Sequence, residues 1–217
     1  MRRFCKKRCN HFQSKPSKNF SWIGSFTDED LNKAFYNAIR ISNQDYSCQV
    51  IYTVGDTVLF NSLSQIPFIA EIDSFYEEKS SGKKYVVAKW FYRVSDIKAY
   101  SKQLLDNISN IISSKYDVFL CDSLLDPNSL DSILRPCHVI YHTPPTDNLY
   151  DEHEEDINAI IKNIRKRDTF ICRYRFDPHS GKVLPLCEDE LGRLRVKKSS
   201  NILMGAISSI NQGEFIK

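Results

Sequence analysis

Short runs in which apolar and polar positions alternate fill the middle of this chain. Side chains alternate across a strand, so these runs predict β-structure. Strands are expected at residues 48–52, 56–61, 68–75, 85–93, 118–121, 137–142 and 168–176. The charged segment 77–84, with Ser80, Ser81 and Gly82 at its tip, predicts a hairpin turn between two of them. Helical spacing appears elsewhere. Residues 27–40 open with a capping Thr27 and an acidic first turn, and Leu31, Phe35, Ala38 and Ile39 recur at helical period. Leu104, Leu105, Ile108, Ile111 and Ile112 give the stretch 96–115 some helical periodicity. Residues 151–167 start acidic and end in Arg165, Lys166 and Arg167, which suits the dipole of a helix. Phe20, Trp22, Ile23 and Phe26 are expected to fold back onto the domain. The pattern predicts a mainly β domain with helical additions and no internal repeat.

Composition supports a packed domain. Of 217 residues, 41% are hydrophobic and 12% aromatic, enough for a real core. The formal charge of +3 does not by itself argue for nucleic acid, but its distribution is uneven. Residues 1–20 carry Arg2, Arg3, Lys6, Lys7, Arg8, Lys15 and Lys18 with no acidic residue, as a basic arm, a nuclear-import signal or a solvated terminus would. No apolar run reaches the ~18 residues of a membrane-spanning helix, and the N-terminus lacks a secretory apolar stretch. Seven scattered cysteines, an odd number, favour a reducing interior over a disulfide framework.

Catalytic signatures are weak. The chain has no phosphate-binding loop, GxSxG elbow or HExxH motif, so an enzyme is not expected. Cys5, Cys9 and His11 are a thin metal candidate without a second pair, and neither a metal nor a cofactor is expected. His138 and His142 fall in a strand pattern and read as structural residues. Cys121, Cys137 and Cys172 read as buried small hydrophobes. The most distinctive stretch is VVAKWFYR at 86–93. Trp90 and Tyr92 share one strand face there and can form two walls of a box for a cation. The same alternation equally fits Trp90 as core and Tyr92 as its packing partner.

Six segments in order resemble the bromo-adjacent homology (BAH) domain. They are VGDTVLF at 54–60, IPFIAEIDSFYE at 66–77, KYVVAKWFYR at 84–93, DVFLCDSLLD at 117–126, LDSILRPCHV at 130–139 and DTFICRYRFDP at 168–178. The resemblance implies a distorted β-barrel-like domain with peripheral α-helices, found in nuclear chromatin proteins. Together with the charge and periodicity above, it divides the chain into four parts: a basic arm at 1–20, a helical N-terminal extension at 21–45, the BAH domain at 46–190 and a C-terminal tail at 191–217. The similarity is greatest to members that read the Polycomb-type trimethyl-lysine mark of gene silencing on the histone H3 tail. Carried over, the resemblance implies a methyl-lysine cage of Phe68, Trp90 and Tyr92, with Phe68 in place of the more usual Tyr. It also implies acidic peptide-binding residues at Asp96 and Asp126. The Pro-Glu that often follows the Arg is Val94-Ser95 here, and the family's His near Ser123 is absent. The alternative is a scaffold that binds a nucleosome, DNA or another chromatin protein without reading methyl-lysine. In that case the basic arm and the cluster Arg193, Arg195, Lys197 and Lys198 would meet nucleosomal DNA phosphates.

Overall fold

The computed structural model describes residues 18–43, 48–62, 66–100, 114–142 and 168–187. Within them the order is β1 (Lys18–Ile23), β2 (Asp28–Glu29), β3 (Lys33–Tyr36), β4 (Ala38–Asn43), β5 (Gln49–Thr53), β6 (Thr57–Phe60), β7 (Phe68–Glu78), β8 (Lys84–Arg93), helix α1 (Val94–Tyr100), β9 (Asp117–Ser129), a 3-10 turn (Leu130–Ser132), β10 (Ile133–Pro136), β11 (His138–Tyr141), β12 (Thr169–Asp177) and β13 (Lys182–Pro185). The fold is mainly β. A small sheet has the order β1-β4-β5. The larger one runs β10-β6-β7-β8-β9-β12-β11, with β13 on β12 and the β2–β3 hairpin on β7.

The alternating runs became strands where they were expected, because each has a core to bury against. Val58, Phe60, Ala70, Ile72, Val86 and Ala88 face one apolar cluster with Ile39 and Phe75. Their odd-numbered neighbours Leu59, Ile69 and Phe91 face a second cluster, with Val118, Cys137 and Cys172. Strand β6 and the Ile69–Ile72 part of β7 are therefore buried on both faces, so β6 is apolar nearly throughout. Cys121, Cys137 and Cys172 are buried, as expected of small hydrophobes in strand patterns.

Two expectations need correction. Among the described residues the larger sheet does not close into a barrel: it follows an open path from β10 to β11. Its edge strand β10 has four residues and ends in Pro136, which has no N–H to offer a further neighbour.

The helix expected at 27–40, and with it a helical extension at 21–45, is replaced by strands β2, β3 and β4. Asp30 does not continue a helical first turn. Its carboxylate accepts from the backbone N–H groups of Asn32 and Lys33 at 2.7 and 2.6 Å, which closes a tight turn. Strand β4 is then paired on both sides, with β1 and with β5, and buries Ile39 completely. This tertiary pairing outweighs the local helical spacing. Leu31, assigned to the helix's apolar face, lies at the hairpin tip with 95% of its surface exposed.

The aromatic residues upstream do fold back in part. Trp22 stacks on Tyr36 at 4.2 Å between centroids, and its Nε1 donates to Glu77 at 2.6 Å. Phe20 packs on the first cluster too, whereas Phe26 is half exposed. Part of the helical stretch 96–115 is seen as α1; its residues 101–113 lie outside the described residues. So do the helix expected at 151–167, the arm up to residue 17 with Cys5, Cys9 and His11, and the tail at 191–217 with its Arg and Lys cluster.

Candidate functional site

The β7–β8 hairpin places the aromatic residues. Its turn passes through Gly82 at φ +65°, a left-handed conformation that suits glycine. The resulting register sets Trp90 opposite Ala70 and Phe91 opposite Ile69. One step further, the same register brings Phe68 level with Tyr92. By alternation Phe68, Trp90 and Tyr92 then share a face, and Phe60, paired with Phe68 across β6–β7, joins them. The small side chain of Ala70 leaves room for the indole opposite it.

The other wall comes from an irregularity between β8 and β9. Lys89 pairs with Leu125, but Trp90 pairs with Cys121, so Asp122, Ser123 and Leu124 are skipped in the ladder. Asp126 therefore lies opposite Ala88, on the same face as Trp90, and its Oδ2 accepts from Trp90 Nε1 at 3.3 Å. Asp96 sits in the first turn of α1, where its carboxylate suits the helix dipole and accepts from the Arg93 N–H at 2.8 Å.

These residues enclose an open cavity of about 730 Å³, lined by Phe60, Asn61, Phe68, Trp90, Phe91, Tyr92, Asp96, Asp126, Asn128 and Ser132. The structure thus brings the five residues singled out in the sequence to one place. Trp90 meets Phe60 edge-on at 5.2 Å and 64°, and Phe68 at 6.0 Å and 74°. Phe60 is buried and backs the indole, while Phe68 is 49% exposed at the mouth. Tyr92 is held from behind by Phe176, edge-on at 5.8 Å. Trp90 is partly buried against the first cluster, so it is both core neighbour and cavity wall. Among the described lining residues there are two carboxylates and no Lys or Arg. Aromatic faces beside negative charge favour a large, weakly hydrated cation.

Four lining residues carried no signal in the sequence: the buttress Phe60 and the polar Asn61, Asn128 and Ser132. Asn61 and Ser132 meet because β6 pairs with β10, far away in the chain, and Asn61 N–H donates to the Ser132 carbonyl at 2.7 Å; Phe60 is set by the β6–β7 ladder and Asn128 by the β8–β9 ladder. Asn128 Nδ2 donates to the Asp126 carbonyl at 2.8 Å, which braces the segment carrying the carboxylate. Among the described residues no group of three or more His, Cys, Asp or Glu could hold a metal ion.

The family model described as BAH domain matches residues 50–186, the span from β5 through β13 that contains the whole cavity. Strands β1 to β4 precede that span. Among solved structures, the yeast Rsc2 BAH domain aligns with a TM-score of 0.44 at 14% identity. The alignment covers 68% of this chain and 53% of that one, about half its length. Comparison with curated proteins finds no match.

Proposed function

Because the chain belongs to the BAH domain family, a chromatin-associated family, we propose that its cavity reads a methylated lysine on a histone tail. The ligand in this reading is trimethyl-lysine, the Polycomb-type repressive mark on histone H3, and the protein works in the nucleus. Phe68, Trp90 and Tyr92 form the cage, and Asp96 and Asp126 attract the cationic peptide. The observation that carries the reading is the convergence of these five side chains on one open cavity.

The chemistry fits a quaternary ammonium. A trimethylammonium group has no N–H to donate, so an apolar aromatic pocket costs it little in lost hydrogen bonds. Each ring face contributes roughly 0.5–2 kcal/mol of cation–π attraction. The carboxylates add longer-range attraction that salt screens. Asn61, Asn128 and Ser132 supply hydrogen-bonding groups for the flanking peptide.

Calorimetric titration of the full chain with trimethylated and unmodified H3 tail peptides tests the proposal. Tighter binding of the methylated peptide is expected. Equal affinity for both, with binding to unmodified nucleosomes retained, would instead identify a scaffold module.

A further inference from the structure

The smaller sheet ends in an edge strand that nothing blunts. Strand β5 (Gln49–Thr53) is bonded on one side to β4 and on the other to none of the described strands. The phase of its ladder follows from two flanking bonds. Asn43 N–H donates to the Cys48 carbonyl at 3.2 Å, and Val54 N–H donates to the Asn37 carbonyl at 2.9 Å. Antiparallel pairs alternate, so Val50 and Tyr52 bond to β4 while Gln49, Ile51 and Thr53 turn their N–H and C=O groups outward. Thr53 is capped within the chain. Its N–H donates to the Asp56 carboxylate at 2.7 Å, and its carbonyl accepts from the Asp56 N–H at 3.1 Å. Among the described residues the outward backbone groups of Gln49 and Ile51 meet no partner.

Edges are commonly protected by charge, proline or shortness, because an open one recruits further strands. Here β1 begins with Lys18, β2 is two acidic residues, β10 ends in Arg135 and Pro136, and β13 runs from Lys182 to Pro185. Strand β5, QVIYT, has no charge and no proline. Val50 and Tyr52 face the first core cluster, whereas Ile51 points away from it and is 53% exposed. Such a strand offers no charge that would select an acidic or basic peptide. It does complement a copy of itself.

We propose that β5 pairs antiparallel with β5 of a second copy of this chain, about a two-fold axis at Ile51. The outward N–H of each Ile51 donates to the partner's Ile51 carbonyl, and the two exposed side chains cover each other. Gln49 lies opposite the partner's Thr53, whose carbonyl keeps a second lone pair for the Gln49 N–H. Arg40 is the neighbour of Ile51 on β4. It stands three strand spacings, about 14 Å, from the partner's Arg40, beyond the screening length of roughly 8 Å at physiological salt. The pairing joins the two smaller sheets into one and gives the assembly two aromatic cavities. It does not depend on methyl-lysine reading.

Sedimentation equilibrium and amide hydrogen exchange on the full chain test the pairing. A reversible monomer–dimer equilibrium is expected, with the Ile51 amide exchanging more slowly as protein concentration rises. The Val50 and Tyr52 amides, already bonded to β4, should not respond. Ile51→Glu sets two carboxylates opposite each other across the axis, while Arg40 remains a neighbour of opposite charge within each copy. That variant should be monomeric at every concentration and should keep the parent affinity for a methylated peptide, so this proposal and the methyl-lysine reading can fail separately. The proposal is overturned if the parent chain stays monomeric up to near-millimolar concentration, or if Ile51→Glu dimerises like the parent. It is also overturned if the parent dimerises while exchange at Ile51 is independent of concentration, a result read on the unaltered chain.

Discussion

Replacing Trp90 with alanine separates a cavity wall from a core residue. Complete burial of a large aromatic side chain makes such a truncation cost about 3–5 kcal/mol. Trp90 is only partly buried, touching Phe60 at 5.2 Å and Phe68 at 6.0 Å, with one face open to the cavity. Its hydrogen bond to Asp126 is exposed and long at 3.3 Å, so it adds at most about 0.5 kcal/mol. A destabilisation of roughly 1.5–3 kcal/mol follows from scaling the buried value to partial burial. For a chain of this size that lowers the melting temperature by about 3–12 °C. Binding should suffer more selectively. Losing one ring's share, about 1–2 kcal/mol, reduces affinity for trimethyl-lysine roughly 5- to 30-fold. Affinity for the unmodified peptide should hardly change. Scanning calorimetry and peptide titration on the one variant measure both quantities. A folded variant that still prefers the methylated peptide refutes the cage, and a variant unfolded at room temperature makes Trp90 a core residue.

Phe68→Ala should weaken methylated-peptide binding several-fold and cost less than about 1.5 kcal/mol of stability by chemical denaturation, because the ring is half exposed. Asp126→Asn keeps the shape and removes a charge, so peptide affinity should fall at low salt and the difference from the parent should shrink at high salt. Arg173 and Asp117 form a buried pair at 2.8 Å, and Asp117→Ala should cost about 3–5 kcal/mol in urea unfolding by removing the carboxylate that faces the buried guanidinium. Burial pushes the thiols of Cys137 and Cys172 up to about 12, from an ordinary value of 9.0. Both should resist thiol reagents at neutral pH until the protein unfolds. Their contribution to stability is complete below the unfolded value of 9.0 and is lost as pH rises toward 12, which denaturation at stepped alkaline pH will show.

Strands β5 to β8 and β12 were legible in the sequence because each is a local pattern, and side-chain alternation is set by the backbone alone. That Trp90 and Tyr92 share a face was legible for the same reason. Adding Phe68, Asp96 and Asp126 to them required the family resemblance, since nothing in their spacing joins them. The tertiary structure decided the rest. Residues 27–40 had the spacing of a helix, yet β4 is a strand because β1 and β5 lie on either side of it, and neither partner can be inferred from the segment itself. Asp126 reaches the Trp90 indole only through three residues skipped in the β8–β9 ladder, which no periodicity encodes. Asn61 and Ser132 meet because β6 pairs with β10. Periodicity shows which face of a strand is apolar. Which strands lie beside it depends on non-local pairing, and that pairing built the aromatic cavity.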